Sequence, residues 1–189
     1  MMRLVILDRD GVINEDSDDY IKSPQEFVPL PGSLEAIARL NAAGYRVAVA
    51  TNQSGVARGL FDLAALKAIH DKLRSLLAAV GGHIDGIFYC PHKPDDQCDC
   101  RKPEPGLLRQ IAEAFDQPLT DVPVIGDSRR DLDSARAMGA RPILVRTGKG
   151  ERTIAAGQGL DGVPIYADLA TAVDALLAEA STSGKKESH

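Results

Sequence analysis

The chain has 189 residues, 44% of them hydrophobic and 26% charged, which suits one domain able to bury a core and argues against a disordered chain. Its 22 basic side chains against 27 acidic ones leave a formal net charge of −5. No basic field is present to gather a nucleic-acid backbone, so a small-molecule partner is expected.

The short apolar run at the amino terminus meets an acidic cluster too soon to form a secretory leader core or a bilayer span. This predicts a cytoplasmic protein without a membrane partner. Residues 1–180 read as a single domain with no linker or internal repeat, and 181–189 read as a polar, mobile tail.

Leu4 to Leu7 reads as a buried strand that runs directly into Asp8, Arg9, Asp10, Gly11 and Val12. An extended backbone points residues i and i+2 to the same side, so Asp8 and Asp10 can serve one reaction. With Asp8 as nucleophile, a difficult phosphate displacement divides into formation and hydrolysis of an acyl phosphate. Asp10 would protonate the departing alkoxide and then activate water. Gly11 would let the chain turn sharply with its N–H groups near the phosphate. Alone, an Asp-x-Asp pair is most often a turn; its weight here comes from the polar motifs that end the other strands.

A helix is predicted from Leu34, opening after Ser33 and stopping at Gly44. The second strand, Arg46 to Ala50, leads into Thr51, Asn52, Gln53, Ser54 and Gly55, where the Thr51 hydroxyl could hold phosphoryl oxygens without adding negative charge. Leu63, Leu66, Ile69, Leu73, Leu76, Leu77 and Val80 then fall at helical spacing behind a cap at Asp62. His70 reads as a residue of this helix's surface and His83 as a loop residue, neither with metal-binding neighbours.

The third strand, Ile84 to Tyr89, is followed by Cys90, His92, Cys98 and Cys100. Three thiolates and one imidazole make a closed tetrahedral Zn²⁺ set with no position left for substrate. The zinc would be structural, pinning the loop that carries Arg101 and Lys102. The Lys102 ammonium could neutralise charge shared by the nucleophile and the phosphoryl oxygens.

The fourth strand, Val122 to Ile125, ends in Gly126, Asp127, Ser128, Arg129, Arg130 and Asp131. Mg²⁺ takes a few oxygen ligands and keeps several waters. Asp8, a backbone carbonyl near Asp10 and the Asp127 carboxylate would suffice, with Asp131 orienting a metal-bound water or a neighbouring group. A fifth strand is expected at Ile143 to Arg146 and an edge strand at Val163 to Tyr166.

Strands alternating with helices imply right-handed crossovers and a mostly parallel sheet covered on both faces, a Rossmann-like three-layer α/β sandwich. In such a sheet the ligand crevice lies beyond the carboxyl ends of the strands, where all these motifs fall.

Together, DRDGV at 8–12, TNQSG at 51–55, Lys102 and GDSRRD at 126–131 resemble the haloacid dehalogenase superfamily of phosphatases. TNQSGVARG, CPH-x5-CDCRKP and VRTGKG further resemble its heptose bisphosphate 7-phosphatase branch. The resemblance implies hydrolysis of the 7-phosphate of D-glycero-D-manno-heptose 1,7-bisphosphate through an aspartyl phosphate on Asp8, as part of surface-polysaccharide synthesis. It implies Asp10 as proton donor, Asp8, Asp10 and Asp127 at the magnesium, and Thr51 and Lys102 at the phosphoryl group. Arg101 would recognise substrate, Asn52, Gln53, Ser54 and Arg58 would line the site, and Asp19 or Tyr20 would reach the sugar. The alternatives are histidinol-phosphate hydrolysis, which the short spacing from His92 to Cys98 resembles, and DNA 3′-phosphate hydrolysis, against which the acidic balance argues. The motif spacing leaves no room for a separate cap domain, so specificity would lie in the rim loops 15–31, 54–61 and 91–101. A monomer acting on a small phosphorylated sugar is expected.

Overall fold

A computed structural model of the chain describes residues 2–184. Strands β1 (Arg3–Leu7), β2 (Tyr45–Asn52), β3 (Gly86–Cys90), β4 (Pro123–Gly126), β5 (Arg141–Val145) and β6 (Ile165–Tyr166) form one sheet in the order β3-β2-β1-β4-β5-β6, with every pairing parallel. Helices α1 (Ser33–Ala42), α2 (Leu63–Ala79), α3 (Gly106–Ala114), α4 (Arg129–Ala137), α5 (Gly150–Ala156) and α6 (Leu169–Ser183) complete it.

Alternation along β1 explains the layering. Val5 and Leu7 point into one core with residues of α1, α2 and α6, whereas Leu4 and Ile6 point into the other with residues of α3 and α4. All four are buried, as expected of a strand covered on both faces. On α2, Leu66, Ile69, Leu73 and Leu77 are buried at helical spacing, each contributing roughly 1.5–3 kcal/mol by leaving water. The helix opens on Asp62, whose carboxylate accepts the Ala65 N–H at 2.8 Å.

Local chemistry moves several boundaries. Helix α1 has Gly32 as its N-cap, and the Ser33 hydroxyl donates instead to the Val12 carbonyl at 2.9 Å. Strand β3 starts at Gly86 and not at Ile84, because the Asp85 carboxylate takes the Val47 N–H at 2.8 Å where a ladder bond would be. Helix α6 continues through Ser183, so the segment expected to be a tail from Ser181 is helical for three residues. His189 and the rest of 185–189 lie outside the described residues. His70 departs most from its expected place: it is buried against Arg9 and is not a residue of the helix surface.

The strand order reverses between β1 and β4, since β2 continues on one side and β5 on the other. Their carboxyl ends form the topological switch point where an open parallel sheet binds ligands. The segments joining the strands are loops, short 3₁₀ turns and single helices, without an inserted cap domain among the described residues.

Candidate active site

Asp8 follows β1 and Asp127 follows β4, and both line a crevice of about 470 Å³ at the switch point. Asp10, Thr51, Asn52, Gln53, Ser54, Arg101, Lys102 and Asp131 line the same space, as does Tyr20. Arg58 and Asp19 are exposed and are not among the lining residues; Asp16 and Asp18 face the crevice instead. The two acidic neighbours are tied to the opposite wall, Asp16 by Lys149 at 3.1 Å and Asp18 by Arg152 at 3.3 Å.

Lys102 is buried at the centre. Its ammonium donates to the Ala50 carbonyl at 2.7 Å, contacts Asp131 Oδ1 at 2.6 Å and lies 3.1 Å from Asp8 Oδ1. Burial opposes its charge, but Asp131 and Asp8 outweigh that and hold its pKa above the ordinary lysine range. Asn52 braces the Lys102 backbone from both sides, with Nδ2 donating to its carbonyl at 3.1 Å and Oδ1 accepting its N–H at 3.0 Å. The Asn52 side chain is therefore taken up in supporting the cation.

Asp131 combines two roles. One oxygen meets Lys102 and the other accepts the N–H groups of Asp127 and Ser128, each at 3.1 Å, as part of the cap that starts α4. A helix cap and a charge partner are thus the same carboxylate.

Asp127 is hemmed in by backbone. Its Oδ2 accepts the Lys149 N–H at 2.8 Å, and Gly11 and Gly148 approach so closely that a Cβ on either would stand 2.1 or 2.3 Å from that oxygen. Gly11 adopts φ +84°, which its missing side chain permits. Its N–H, expected near a phosphate, donates to the Asn14 carbonyl at 2.8 Å. What the glycine supplies is room for Asp127.

One oxygen each from Asp8, Asp127 and Asp131 lie within 4.8 Å of one another. Burial, then Asp131, raises Asp8 to about 7; burial, then Asp8, raises Asp127 to about 9. Carboxylates so crowded that they resist ionising fit a divalent cation, which supplies the missing positive charge. The Asp10 carboxylate lies outside this cluster. Burial works against its charge, yet Arg9 and the Asn14 and Gln53 side chains keep its pKa below the usual carboxylate value.

Cys90, His92, Cys98 and Cys100 have ligand atoms within 4.8 Å of one another. Sγ of Cys90 lies 3.5 Å from His92 Nδ1, 3.6 Å from Cys98 Sγ and 2.8 Å from Cys100 Sγ. A tetrahedral zinc with Zn–S near 2.3 Å has edges of about 3.8 Å, so closing around one ion needs the Cys90–Cys100 pair to open by about 1 Å and the other Cys90 distances to change little. Burial pushes the Cys90 and Cys100 thiols up, whereas backbone N–H groups led by that of Arg101 overcome burial at Cys98 and lower it to about 7. Three thiols that cannot all ionise together fit a cation that stabilises their thiolates. The same loop holds Arg101, whose Nη1 reaches the His92 carbonyl at 3.4 Å.

Sequence reasoning missed Arg9 and Asn14 as supports of Asp10. Arg9 stands between the two aspartates, but nothing in its spacing announces that its side chain turns inward.

Known proteins share this arrangement of elements. A polynucleotide kinase 3 phosphatase model matches residues 4–129, and a HAD-hydrolase-like model matches residues 99–172. Among curated relatives, a D-glycero-beta-D-manno-heptose-1,7-bisphosphate 7-phosphatase of Bordetella bronchiseptica is 56% identical over 95% of this chain and 100% of its own length. One of the same name from Pseudomonas aeruginosa is 58% identical over 92% of this chain and 97% of its own. The B. bronchiseptica D,D-heptose 1,7-bisphosphate phosphatase, solved with magnesium and phosphate, superposes with a TM-score of 0.92 at 56% identity, covering 94% of this chain and 99% of that one. The Burkholderia thailandensis enzyme gives a TM-score of 0.74 at 49% identity, over 93% and 98% of the two chains.

Proposed function

We propose that this chain, which belongs to the D-glycero-beta-D-manno-heptose-1,7-bisphosphate 7-phosphatase family of haloacid dehalogenase-like phosphatases, hydrolyses the 7-phosphate of that sugar bisphosphate, releasing heptose 1-phosphate and phosphate. The observation that carries the reading is 56% identity running the whole length of a relative so named.

Asp8 is the nucleophile and Lys102 holds its charge and that of the phosphoryl oxygens, with the Thr51 hydroxyl as a further ligand to them. Asp10 protonates the departing sugar oxygen and then takes a proton from the attacking water. The carboxylates of Asp8 and Asp127, with the backbone carbonyl of Asp10, would hold Mg²⁺, while Asp131 keeps Lys102 in place. The ion, when bound, offsets the negative charge gathered around the phosphate. Cys90, His92, Cys98 and Cys100 would hold a structural Zn²⁺ that orders the loop bearing Arg101 and Lys102.

The second phosphate of the substrate would be met on the crevice wall by Arg101, and by Lys149 once it leaves Asp16. A histidinol phosphate, carrying an ammonium in place of that phosphate, would face this charge unfavourably. The chain also matches the polynucleotide kinase 3 phosphatase model, but a net charge of −5 offers a nucleic-acid end no docking field. Among the described residues no helix is long and apolar enough to cross a membrane, and we place the enzyme in the cytoplasm as a monomer.

Phosphate release from heptose 1,7-bisphosphate, with both anomers, and from histidinol phosphate tests the reading. A kcat/KM at least about a hundredfold higher for the heptose is expected, since lost charge pairing of this kind costs a few kcal/mol. A higher value for histidinol phosphate would overturn it.

A further inference from the structure

Arg9 is the largest side chain without solvent exposure among the described residues, although it stands between the two aspartates of the crevice. A guanidinium cannot shed its charge, so burial demands partners on each side. Its Nε–H donates to Asp10 Oδ1 at 2.9 Å. Nη2 lies 2.8 Å from the same oxygen, an ion pair by distance but off the line of a hydrogen bond, so Nε–H carries the bond and Nη2 contributes charge. Nη1 points the other way, to His70 Nε2 at 3.1 Å, and the Phe27 ring lies 6.0 Å from the guanidinium carbon.

Arginine only donates, so His70 Nε2 accepts, and the imidazole is neutral with its proton on Nδ1. Burial first, then the charges of Arg9 and Arg74, hold His70 down to about 3, in keeping with that hydrogen bond.

These linked contacts make the two oxygens of Asp10 unequal. Oδ1 accepts from Arg9 Nε and from Asn14 Nδ2, both at 2.9 Å. Oδ2 accepts from Gln53 Nε2 at 3.2 Å, and that amide is shared with the Thr51 hydroxyl at 2.9 Å.

We propose that His70 and Arg9 are positioning residues for proton transfer: His70, on α2, anchors the guanidinium that occupies Oδ1 of Asp10, and thereby presents Oδ2 to the leaving group. The inference rests on Asp10 being the general acid. In the first half-reaction an Asp8 oxygen bonds to phosphorus and the bond from phosphorus to the sugar oxygen breaks; against burial, Arg9 favours the ionised form of Asp10, so the proton that Oδ2 passes to that oxygen is one taken up from water as the substrate's negative charge enters the crevice. In the second, water bonds to phosphorus, its proton goes to Oδ2, and the bond from phosphorus to Asp8 breaks.

A misaimed acid is felt most where the leaving group needs the proton. An alkoxide needs it, whereas p-nitrophenolate leaves readily without it. The test measures kcat and KM on p-nitrophenyl phosphate and on whichever alkyl phosphate the native enzyme hydrolyses best, for His70→Leu, His70→Gln and Asp10→Asn. We expect His70→Leu to lower kcat on the alkyl ester about tenfold more than on the aryl ester, with KM within about twofold. The amide oxygen of His70→Gln can still accept from Arg9 and should recover most of the difference. Equal losses on both esters, or a change confined to KM, would overturn the inference. Should His70→Leu not fold, Arg9→Lys carries the same comparison, because it keeps the charge but cannot reach Asp10 and His70 together. If Asp10→Asn shows no bias against alkyl esters, the assignment of Asp10 has failed and the inference with it. A bias in Asp10→Asn without one in His70→Leu removes the inference alone.

Discussion

The Lys102 ammonium lies closer to Asp131, at 2.6 Å, than to Asp8, at 3.1 Å. Asp131 is therefore its resident counter-ion, and Asp8 is left comparatively free to leave the pair and bond to phosphorus. Asp131→Ala would leave the buried Lys102 ammonium with the more distant Asp8 as its carboxylate partner and remove the acceptor that starts α4. It should lower stability by about 3–5 kcal/mol in urea unfolding, the usual cost of breaking a buried pair, and lower kcat as well. A loss under about 1 kcal/mol, typical of exposed pairs, would contradict this.

Asp8→Asn should abolish turnover, since an amide cannot form the acyl phosphate. Asp10→Asn should lower kcat by about 10²–10⁴, the range of a general acid-base contribution. Circular dichroism and zinc content should match the parent in both. Undiminished activity in Asp8→Asn would end the covalent mechanism.

The crowded carboxylates predict how stability responds to pH. Asp8 at about 7 and Asp127 at about 9 hold protons in the folded chain that the unfolded chain has released above its ordinary value of 3.8. The folded state binds more protons across this window, so stability falls as pH rises through it and levels off above the folded values. His70, held neutral at about 3, acts oppositely, and its stability is lost as pH falls below its ordinary 6.5. Between pH 6.5 and 9 the carboxylates alone decide the slope among these three groups. Freed of magnesium by gel filtration, the protein should melt progressively lower over that range. Magnesium at about a hundred times its dissociation constant at pH 6.5 should restore about 2.7 kcal/mol there, and the same concentration should restore more at pH 9. An equal gain at both would show that these carboxylates do not hold the ion.

Protein purified without chelator should contain close to one zinc per chain. Cys98→Ser should lose it, because hydroxyl is a far poorer zinc ligand than thiolate. The loop should then release Arg101 and Lys102, with kcat falling more than global stability. Zinc content near zero in reduced parent protein would refute the site.

The strand-helix alternation was legible because the central strands β1, β2 and β4 are buried on both faces and read as short apolar runs, whereas helices buried on one face show a period of 3.6. The ends of β1, β2 and β4 were legible for a related reason: the apolar runs stop there, so Asp8 and Asp127 just beyond their strands, and Thr51 at the end of β2, stand out chemically against the residues before them. Cys90, His92, Cys98 and Cys100 needed only ligand type and spacing, and the known relatives agree with the family that these motifs resemble.

Only the folded chain decided how the side chains partner one another. His70 reads as a surface residue because its helical position says nothing about Arg9, sixty-one residues earlier, turning inward to meet it. Asp19 and Asp16 look equivalent in the first loop until Lys149 pairs with Asp16 across the crevice. Asp131 shows one role in sequence and two in space, because a helix cap is local whereas its counter-ion Lys102 comes from the loop after β3. Local pattern is set by burial along one element and survives in one dimension; pairing is set by which elements the sheet order brings together, and that exists only once the chain has closed.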